Sequence, residues 1–199
     1  MEIGIIGAGK IGSTLGKQWA ATGHEVLYGV RDPQDARYDP LRISSNVDSV
    51  DKAISFGEVV VLALPGSAVA DFISNYAGAL DGKMIIDTTN NPRSAQMNSL
   101  ALIAERVSNA RLVRAFSTLG WENFAKPEIW GVQIDLFYCG DASARADVEK
   151  LIAHVGLRPV YIGNLDTAGA LDGMTRVWFA LVSGQGYSRR AAFKLLVER

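Results

Sequence analysis

A short run of strand character, Glu2-Ile3-Gly4-Ile5-Ile6, leads directly into Gly7-Ala8-Gly9-Lys10-Ile11-Gly12, and a helical segment from Ile11 to Thr22 follows. A G-x-G-x-x-G run becomes informative when it closes a strand and opens a helix, because that context gives each glycine a separate task. The first glycine allows the tight turn, the second lets the backbone approach a pyrophosphate, and the third lets the helix pack against the strand. The helix N-terminus then presents unpaired N–H groups and the positive end of its dipole to the phosphates. A dinucleotide site follows from this context; a glycine-rich turn that binds nothing is the alternative.

The alternation begun by this motif continues along the chain. Strands are expected near Ile3 to Ile6, Glu25 to Val30, Val59 to Leu64 and Met84 to Ile86. Helices are expected over Ile11 to Thr22 and Ser67 to Ala77, with a short one over Val47 to Ser55. The runs Val59 to Leu64 and Met84 to Ile86 lack polar alternation, as strands covered on both faces do. Gly57, Gly66, Gly78, Gly82, Pro65 and Pro92 fall at the joints between elements. Further on, a helix is expected from Ser94 to Val107, strands near Leu112 to Phe116, Leu136 to Cys139 and Pro159 to Ile162, and a helix from Arg145 to His154. The stretch from Thr167 to Val197 reads as wholly helical, broken around Ser183-Gly184-Gln185-Gly186.

This order of elements predicts an α/β fold of Rossmann type, a doubly wound and mostly parallel sheet with a small C-terminal helical lobe. The expected division is a dinucleotide-binding domain over residues 1–110 and a smaller lobe over residues 111–199 that completes the sheet and covers the crevice.

Which dinucleotide binds is read at the end of the second strand, Tyr28-Gly29-Val30-Arg31-Asp32. An acidic residue there would hold the 2′-hydroxyl of NAD, and an arginine would accommodate the 2′-phosphate of NADP. The strand register puts the ribose position on Gly29 or Val30, which leaves Arg31 to meet a phosphate and favours NADP. Asp32 lies about 20 residues beyond Gly12, the spacing of the NAD carboxylate, and it carries the opposite reading; as a plain turn cap it would carry neither.

Ligands of open parallel sheets collect beyond the C-terminal strand ends. Those ends read Leu64-Pro65-Gly66, Asp87-Thr88-Thr89-Asn90-Asn91-Pro92 and Ser117-Thr118-Leu119-Gly120. Hydroxyl and amide groups dominate, and these orient a nicotinamide without being good proton donors at neutral pH. Alcohol and carbonyl dehydrogenases need a general acid or base. His24 and His154 read as turn and helix-end residues away from the crevice, and Asp87 reads equally as a local cap, so no catalytic residue is assigned. That shortage points to an acceptor that carries its own redox chemistry. Trp121 is the best aromatic candidate to cover a flat ring, with Trp130, Trp178 and Phe179 more simply core residues.

Composition excludes several other classes. Among 199 residues, 20 basic and 21 acidic side chains leave a net charge of -1 with no like-charge run, which argues against a nucleic-acid or polybasic membrane surface. Cys139 is the one cysteine, so no internal disulfide and no cysteine metal cluster can form; within Leu136-Phe137-Tyr138-Cys139 it reads as a core thiol. No metal site is assigned. No stretch approaches the roughly 18 apolar residues of a spanning helix, and the strand beginning at Glu2 leaves no room for a signal peptide. A cytoplasmic location without membrane contact is therefore expected.

Taken together, Gly7 to Gly12, Gly29-Val30-Arg31, Leu64-Pro65, Arg114-Ala115-Phe116-Ser117-Thr118, Cys139-Gly140-Asp141 and Leu157-Arg158-Pro159-Val160 through Gly163 resemble the NADPH-dependent deazaflavin-coenzyme reductases. The fold of that family also occurs as the cytosolic domain of six-transmembrane metalloreductases. The resemblance runs from Met1 to about Leu196. It implies that Gly7, Gly9, Lys10, Ile11 and Gly12 hold the pyrophosphate, Arg31 the 2′-phosphate, and Leu64, Pro65, Thr88 and Thr89 the nicotinamide end. Ser117, Thr118 and the loop from Gly163 to Thr167, with Leu165 and Thr167, would face the hydride acceptor. The implied reaction is hydride transfer between NADPH and an 8-hydroxy-5-deazaflavin or a flavin, the small redox cofactor being the substrate. Reduction of imines, carbonyls or ferric chelates, and non-catalytic binding of NADP(H), remain alternatives. A homodimer is expected from family analogy and from the shortness of the chain.

Overall fold

The computed structural model describes residues 1–198; residue 199, the last of the expected second lobe, lies outside the described residues. The first half of the chain runs β1 (Glu2–Ile6), α1 (Lys10–Ala21), β2 (Glu25–Val30), α2 (Asp39–Arg42), β3 (Asn46–Ser49), α3 (Val50–Phe56), β4 (Val59–Leu62), α4 (Val69–Tyr76), β5 (Met84–Asp87), α5 (Leu100–Arg106) and β6 (Arg111–Arg114). Then follow α6 (Trp121–Ala125), β7 (Glu128–Ile129), β8 (Val132–Gln133), β9 (Asp135–Gly140), α7 (Arg145–His154), β10 (Arg158–Tyr161) and α8 (Ala168–Phe179).

Eight strands form one sheet in the order β10-β9-β6-β5-β4-β1-β2-β3. The six from β1 to β6 are parallel, and their order reverses between β1 and β4, the point where an open α/β sheet forms its crevice. The fold class read from the sequence is thus the observed one. The sheet runs on past residue 110, since β9 joins β6 and β10 joins β9.

Alternate residues of each central strand face opposite helical layers, which is why β4 and β5 are apolar throughout. Val59, Val61 and Ile86 pack with α1 and α7, whereas Val60, Leu62 and Ile85 pack with α3, α4, α5 and α8. On α1 the buried residues Gly12, Leu15, Gly16 and Trp19 recur at helical spacing. Trp19 reaches across the molecule to donate its indole N–H to the Leu151 carbonyl of α7 at 3.0 Å, tying the two halves together.

The structure corrects four local expectations. Residues Val47 to Ser49, read as the start of a helix, form the edge strand β3, whose Asn46 and Asp48 are exposed and gave no apolar signature. The helix expected from Ser94 begins only at Leu100. Asp172 accepts the N–H groups of Met97 and Asn98, and Asp87 accepts that of Ser99, so these residues bond to carboxylates instead of a helix. The two-stranded hairpin β7–β8 and the short α6 lie in a stretch left without elements.

The fourth correction concerns the C-terminus, expected to be helical to Val197. Helix α8 ends at Phe179 and passes through a wide turn, Ala180–Gly184, after which Gly186 takes a positive φ of 74°. The residues beyond form a strap across α6 towards β9. Asn123 donates to the Arg189 carbonyl at 3.1 Å, Trp178 to that of Ala191 at 2.9 Å, and Arg158 to that of Leu195 at 2.8 Å. Side chains from the body therefore take the place of the i→i−4 ladder that the strap lacks.

Candidate functional site

The three glycines of the loop are needed for three distinguishable reasons. Gly7 has φ 101°, and a Cβ there would lie 2.6 Å from the Ala63 carbonyl oxygen, so both conformation and crowding select glycine. A Cβ on Gly12 would sit 2.2 Å from the Gly7 oxygen, which makes it the contact that lets α1 approach β1. A Cβ on Gly9 would meet no protein atom within 4 Å. Its backbone borders open space at the start of α1, a helix with neither a side-chain cap nor an acidic residue in its first turn. That is a surface a pyrophosphate can reach, with N–H groups still available to it.

A cleft of about 630 Å³ opens beside the loop and is lined by Gly7, Gly9, Gly29, Arg31, Leu64 and Pro65 among others. The structure thus brings these sequence-derived residues together. Lys10 instead holds its ammonium 5.4 Å from the centre of the Trp121 ring, and Ile11 packs against the core. At the ribose end, β2 terminates on Val30, which is buried, and the Gly29 carbonyl accepts the Gly7 N–H at 3.0 Å. Asp32 caps the turn by accepting the Gln34 N–H at 3.1 Å, while Arg31 is exposed and pairs with no carboxylate among the described residues.

Sequence reasoning missed the rest of this end. Arg37 lines the same cleft, held by Asp35 at 2.6 Å and lying 5.3 Å over the Tyr38 ring. Phe72 and Tyr76 of α4 line the opposite wall with ring centres 5.1 Å apart. Their i,i+4 spacing was the available signal, since it places two flat faces side by side on one helix.

Beyond the cleft lining, at the C-terminal ends of β5 and β6, the ionisable groups Asp87 and Arg114 are committed to one another. Asp87, fully buried at the tip of β5, accepts the Thr89 N–H at 2.9 Å, its hydroxyl at 2.6 Å and the Ser99 N–H at 2.8 Å, and faces Arg114 at 3.5 Å. It is therefore a cap and a counter-ion. Thr88 donates its hydroxyl to the Leu62 carbonyl at 2.8 Å, so both threonines bind the strand ends through their hydroxyl protons.

The segment after β6 is different. Phe116 adopts φ 58° although its side chain is bulky, a conformation that costs on the order of 1–3 kcal/mol unless its surroundings enforce it. Edge-to-face packing against Trp19 and Phe124, at 5.7 and 5.5 Å, holds its ring fully buried. Of the eight buried side-chain polar atoms with no partner among the described residues, six fall between Arg114 and Asn123. Ser117 Oγ, Thr118 Oγ1 and Trp121 Nε1 are among them. Buried polar groups are nearly always satisfied, and strained backbone concentrates at functional sites, which makes this segment a candidate ligand site.

Leu165 and Thr167 are not brought to that segment. Because β9 runs against β6, and β10 runs with β9, the loop after β10 leaves towards the N-terminal ends of the parallel strands. Leu165 lines a separate groove of about 580 Å³ between α5 and α8, and Thr167 donates to the Asn164 carbonyl at 2.7 Å. His24 and His154 lie away from the crevice but touch, Nε2 to Nδ1, at 2.7 Å. Burial, followed by the positive charges of the N-terminal amine, His154 and Lys150, pushes His24 down to about 4. Cys139 is a buried strand thiol, raised above its usual value by that burial. Among the described residues no group of three His, Cys, Asp or Glu side chains is placed to hold a metal, and no helix is long and apolar enough to cross a membrane.

Comparisons with known proteins agree with the geometry. The chain superposes on the structure of a protein from Arthrobacter sp. FB24, provisionally named an F420-dependent NADP reductase, with TM-score 0.87 and 24% identity over 99% of this chain and 100% of that one. It matches a reductive aminase of Aspergillus terreus, solved with NADPH, with TM-score 0.69 and 23% identity over 93% of this chain and 61% of the other. Both likenesses concern the fold. A glycerol-3-phosphate dehydrogenase [NAD(P)+] of Chlorobium phaeobacteroides is 24% identical over 96% of this chain, which spans only 63% of that relative's length. Residues 2–91 match the family described as NADP oxidoreductase, coenzyme F420-dependent. Across those residues, from β1 to the loop after β5, the chain is similar to the F420-dependent NADP oxidoreductases.

Proposed function

We propose that this protein transfers a hydride between NADPH and a planar redox cofactor of the deazaflavin or flavin type. The observation that carries the reading is a contrast in the ionisable groups at the strand ends. The cleft beside β2 presents Arg31 and Arg37, whereas Asp87 and Arg114, at the ends of β5 and β6 beyond the cleft lining, are buried and paired with each other. A carbonyl substrate needs a proton at the oxygen that receives charge. A deazaflavin or flavin delocalises that charge in its own ring, so the protein has only to bind, orient and exclude water.

The residues present fit the nucleotide. Gly7, Gly9 and Gly12 with the N-terminus of α1 would hold the pyrophosphate, and Arg31 with Arg37 the 2′-phosphate. Phe72 and Tyr76 would face the adenine. Leu64 and Pro65 would lie along the nicotinamide riboside, and the unpartnered hydroxyls of Ser117 and Thr118 can bond the carboxamide or the edge of the acceptor. The bound nucleotide supplies the hydride.

Anaerobic oxidation of NADPH against a panel of 8-hydroxy-5-deazaflavin, flavin, cyclic imine, ketone and ferric chelate tests the proposal. Turnover with the deazaflavin or the flavin well above the other acceptors is expected. Tight NADPH binding without reduction of any acceptor would mean a binding protein, and preferential imine or ketone turnover would mean a proton donor that the assignment lacks.

A further inference from the structure

We infer that Arg114, held from α8 by Asp172, is a positioning residue for the nicotinamide end of the crevice; the inference rests on the NADP(H) reading above. Arg114 is fully buried at the end of β6. Its guanidinium donates to the Thr89 carbonyl, to Asn90 Oδ1 at 2.7 Å and to Asp172 Oδ1 at 3.2 Å, and lies 3.5 Å from the Asp87 carboxylate. One planar cation thereby fixes the loop after β5 and ties it to α8.

The connection continues to the strained segment. Asn90 Nδ2 donates to the Ser117 carbonyl at 3.0 Å, and Thr175, one turn along α8 from Asp172, shares its one hydroxyl proton between the Leu171 carbonyl at 2.9 Å and the Ser117 carbonyl at 3.3 Å. Ser117 directly follows Phe116, so its carbonyl is clamped from two sides at the point where the chain is bent against its preference. The second oxygen of Asp172 accepts from the backbone of Met97 and Asn98 and from the Asn98 side chain. Three crevice segments are thus referred to one helix through a single buried network.

An apolar contact would anchor α8 without the desolvation cost of burying charges. What the ionic network adds is direction, because a guanidinium fork accepts partners only in its own plane. Arg114 is not among the residues lining the glycine-loop cleft. In this inference its influence on the nucleotide passes through Asn90 and the Ser117 carbonyl, the groups its network holds.

Asp172→Asn removes the charge and keeps the shape, and Thr175→Val removes the hydroxyl shared between the Leu171 and Ser117 carbonyls. Each is compared with wild type in two binding titrations and one spectroscopic measurement. The ligand 2′,5′-ADP occupies the ribose and phosphate end and does not extend to the nicotinamide crevice. The fluorescence lifetime of NADPH at saturation reports how firmly the nicotinamide ring is held.

The expected result is an affinity for 2′,5′-ADP within about two-fold of wild type in both variants. NADP+ binding is expected to weaken on the order of ten-fold in Asp172→Asn and about three-fold in Thr175→Val, the sizes of a charged and a neutral hydrogen bond. The saturated NADPH lifetime should shorten in both. Parallel losses for the two ligands would make the network a general fold anchor and overturn the inference, as would unchanged NADP+ affinity with unchanged lifetime. If Asp172→Asn does not fold, Thr175→Val decides by the same criteria. Failure of the wild type to bind 2′,5′-ADP would refute the NADP(H) assignment itself, a result separable from either outcome for the variants.

Discussion

Replacing Arg31 with Ala removes the exposed cation at the end of β2 while leaving the glycine loop, Val30 and the Asp32 turn cap in place. The 2′-phosphate of NADPH carries a charge of about −1.5 to −2. A hydrogen bond to such a group contributes about 1.5–3 kcal/mol when shielded, and exposure of Arg31 puts it at the lower end. The expected loss of NADPH affinity is therefore about ten- to thirty-fold. NADH, which lacks the phosphate, should change by less than about two-fold. Arg37→Ala should cost NADPH only about three-fold, because Arg37 already spends its charge on Asp35 at 2.6 Å and would have to share it. Titration by quenching of intrinsic fluorescence, at fixed ionic strength, measures all three. Equal losses of NADPH and NADH in Arg31→Ala, or a wild type whose NADH affinity depends on Asp32, would refute the reasoning.

Two further expectations concern stability. His24 is held at about 4 against an ordinary 6.5, so the unfolded chain binds the proton more readily. Stability from this group is complete above about pH 6.5 and is lost as the pH falls towards 4, by roughly 2 kcal/mol after screening. Urea melts over that window should show the loss, and His24→Gln should flatten it; an unchanged profile in the variant would assign the acid sensitivity elsewhere. The buried carboxylate of Asp135 accepts from Arg158 at 2.6 Å, Lys194 at 2.7 Å and the Leu195 N–H at 2.8 Å. Burial works to raise it, and these three bonds outweigh the burial and hold it below the usual carboxylate range. Asp135→Asn should free the strap, costing about 3 kcal/mol, with trypsin cleaving first near Lys194; equal protease resistance in the variant would show that the strap is held by other contacts.

The residues that were legible from sequence are those whose partners are close along the chain. The turn at Gly7, the packing of Gly12 and the turn capped by Asp32 each depend on a handful of neighbouring positions. Central strands such as Val59 to Leu62 announced themselves because both faces are buried. Edge elements did not: β3 carries Asn46 and Asp48, and the β7–β8 hairpin turns on Trp130, whose ring is 99% exposed. Asp87 looked like a cap or an acid, and the choice was decided by Arg114, which lies 27 residues away in sequence and one strand away in space.

By itself, then, the sequence determined the Rossmann sheet and the conformation of the glycine loop, because glycine placement and strand–helix alternation act over a few residues. It also offered Ser117 and Thr118 as candidate site residues, but not the strained backbone at Phe116 before them or the lack of partners for their hydroxyls. Strand direction was decided only by the tertiary structure. The reversal of β9 and β10 against β6 carried Leu165 and Thr167 away from the crevice, since a loop leaves a sheet at whichever end its strand points to. The same holds for the Arg114–Asp172 pair, 58 residues apart, whose meeting depends on how α8 is laid across the strand ends. Local chemistry is written in neighbouring residues, whereas the joining of distant ones is written only in how the layers pack.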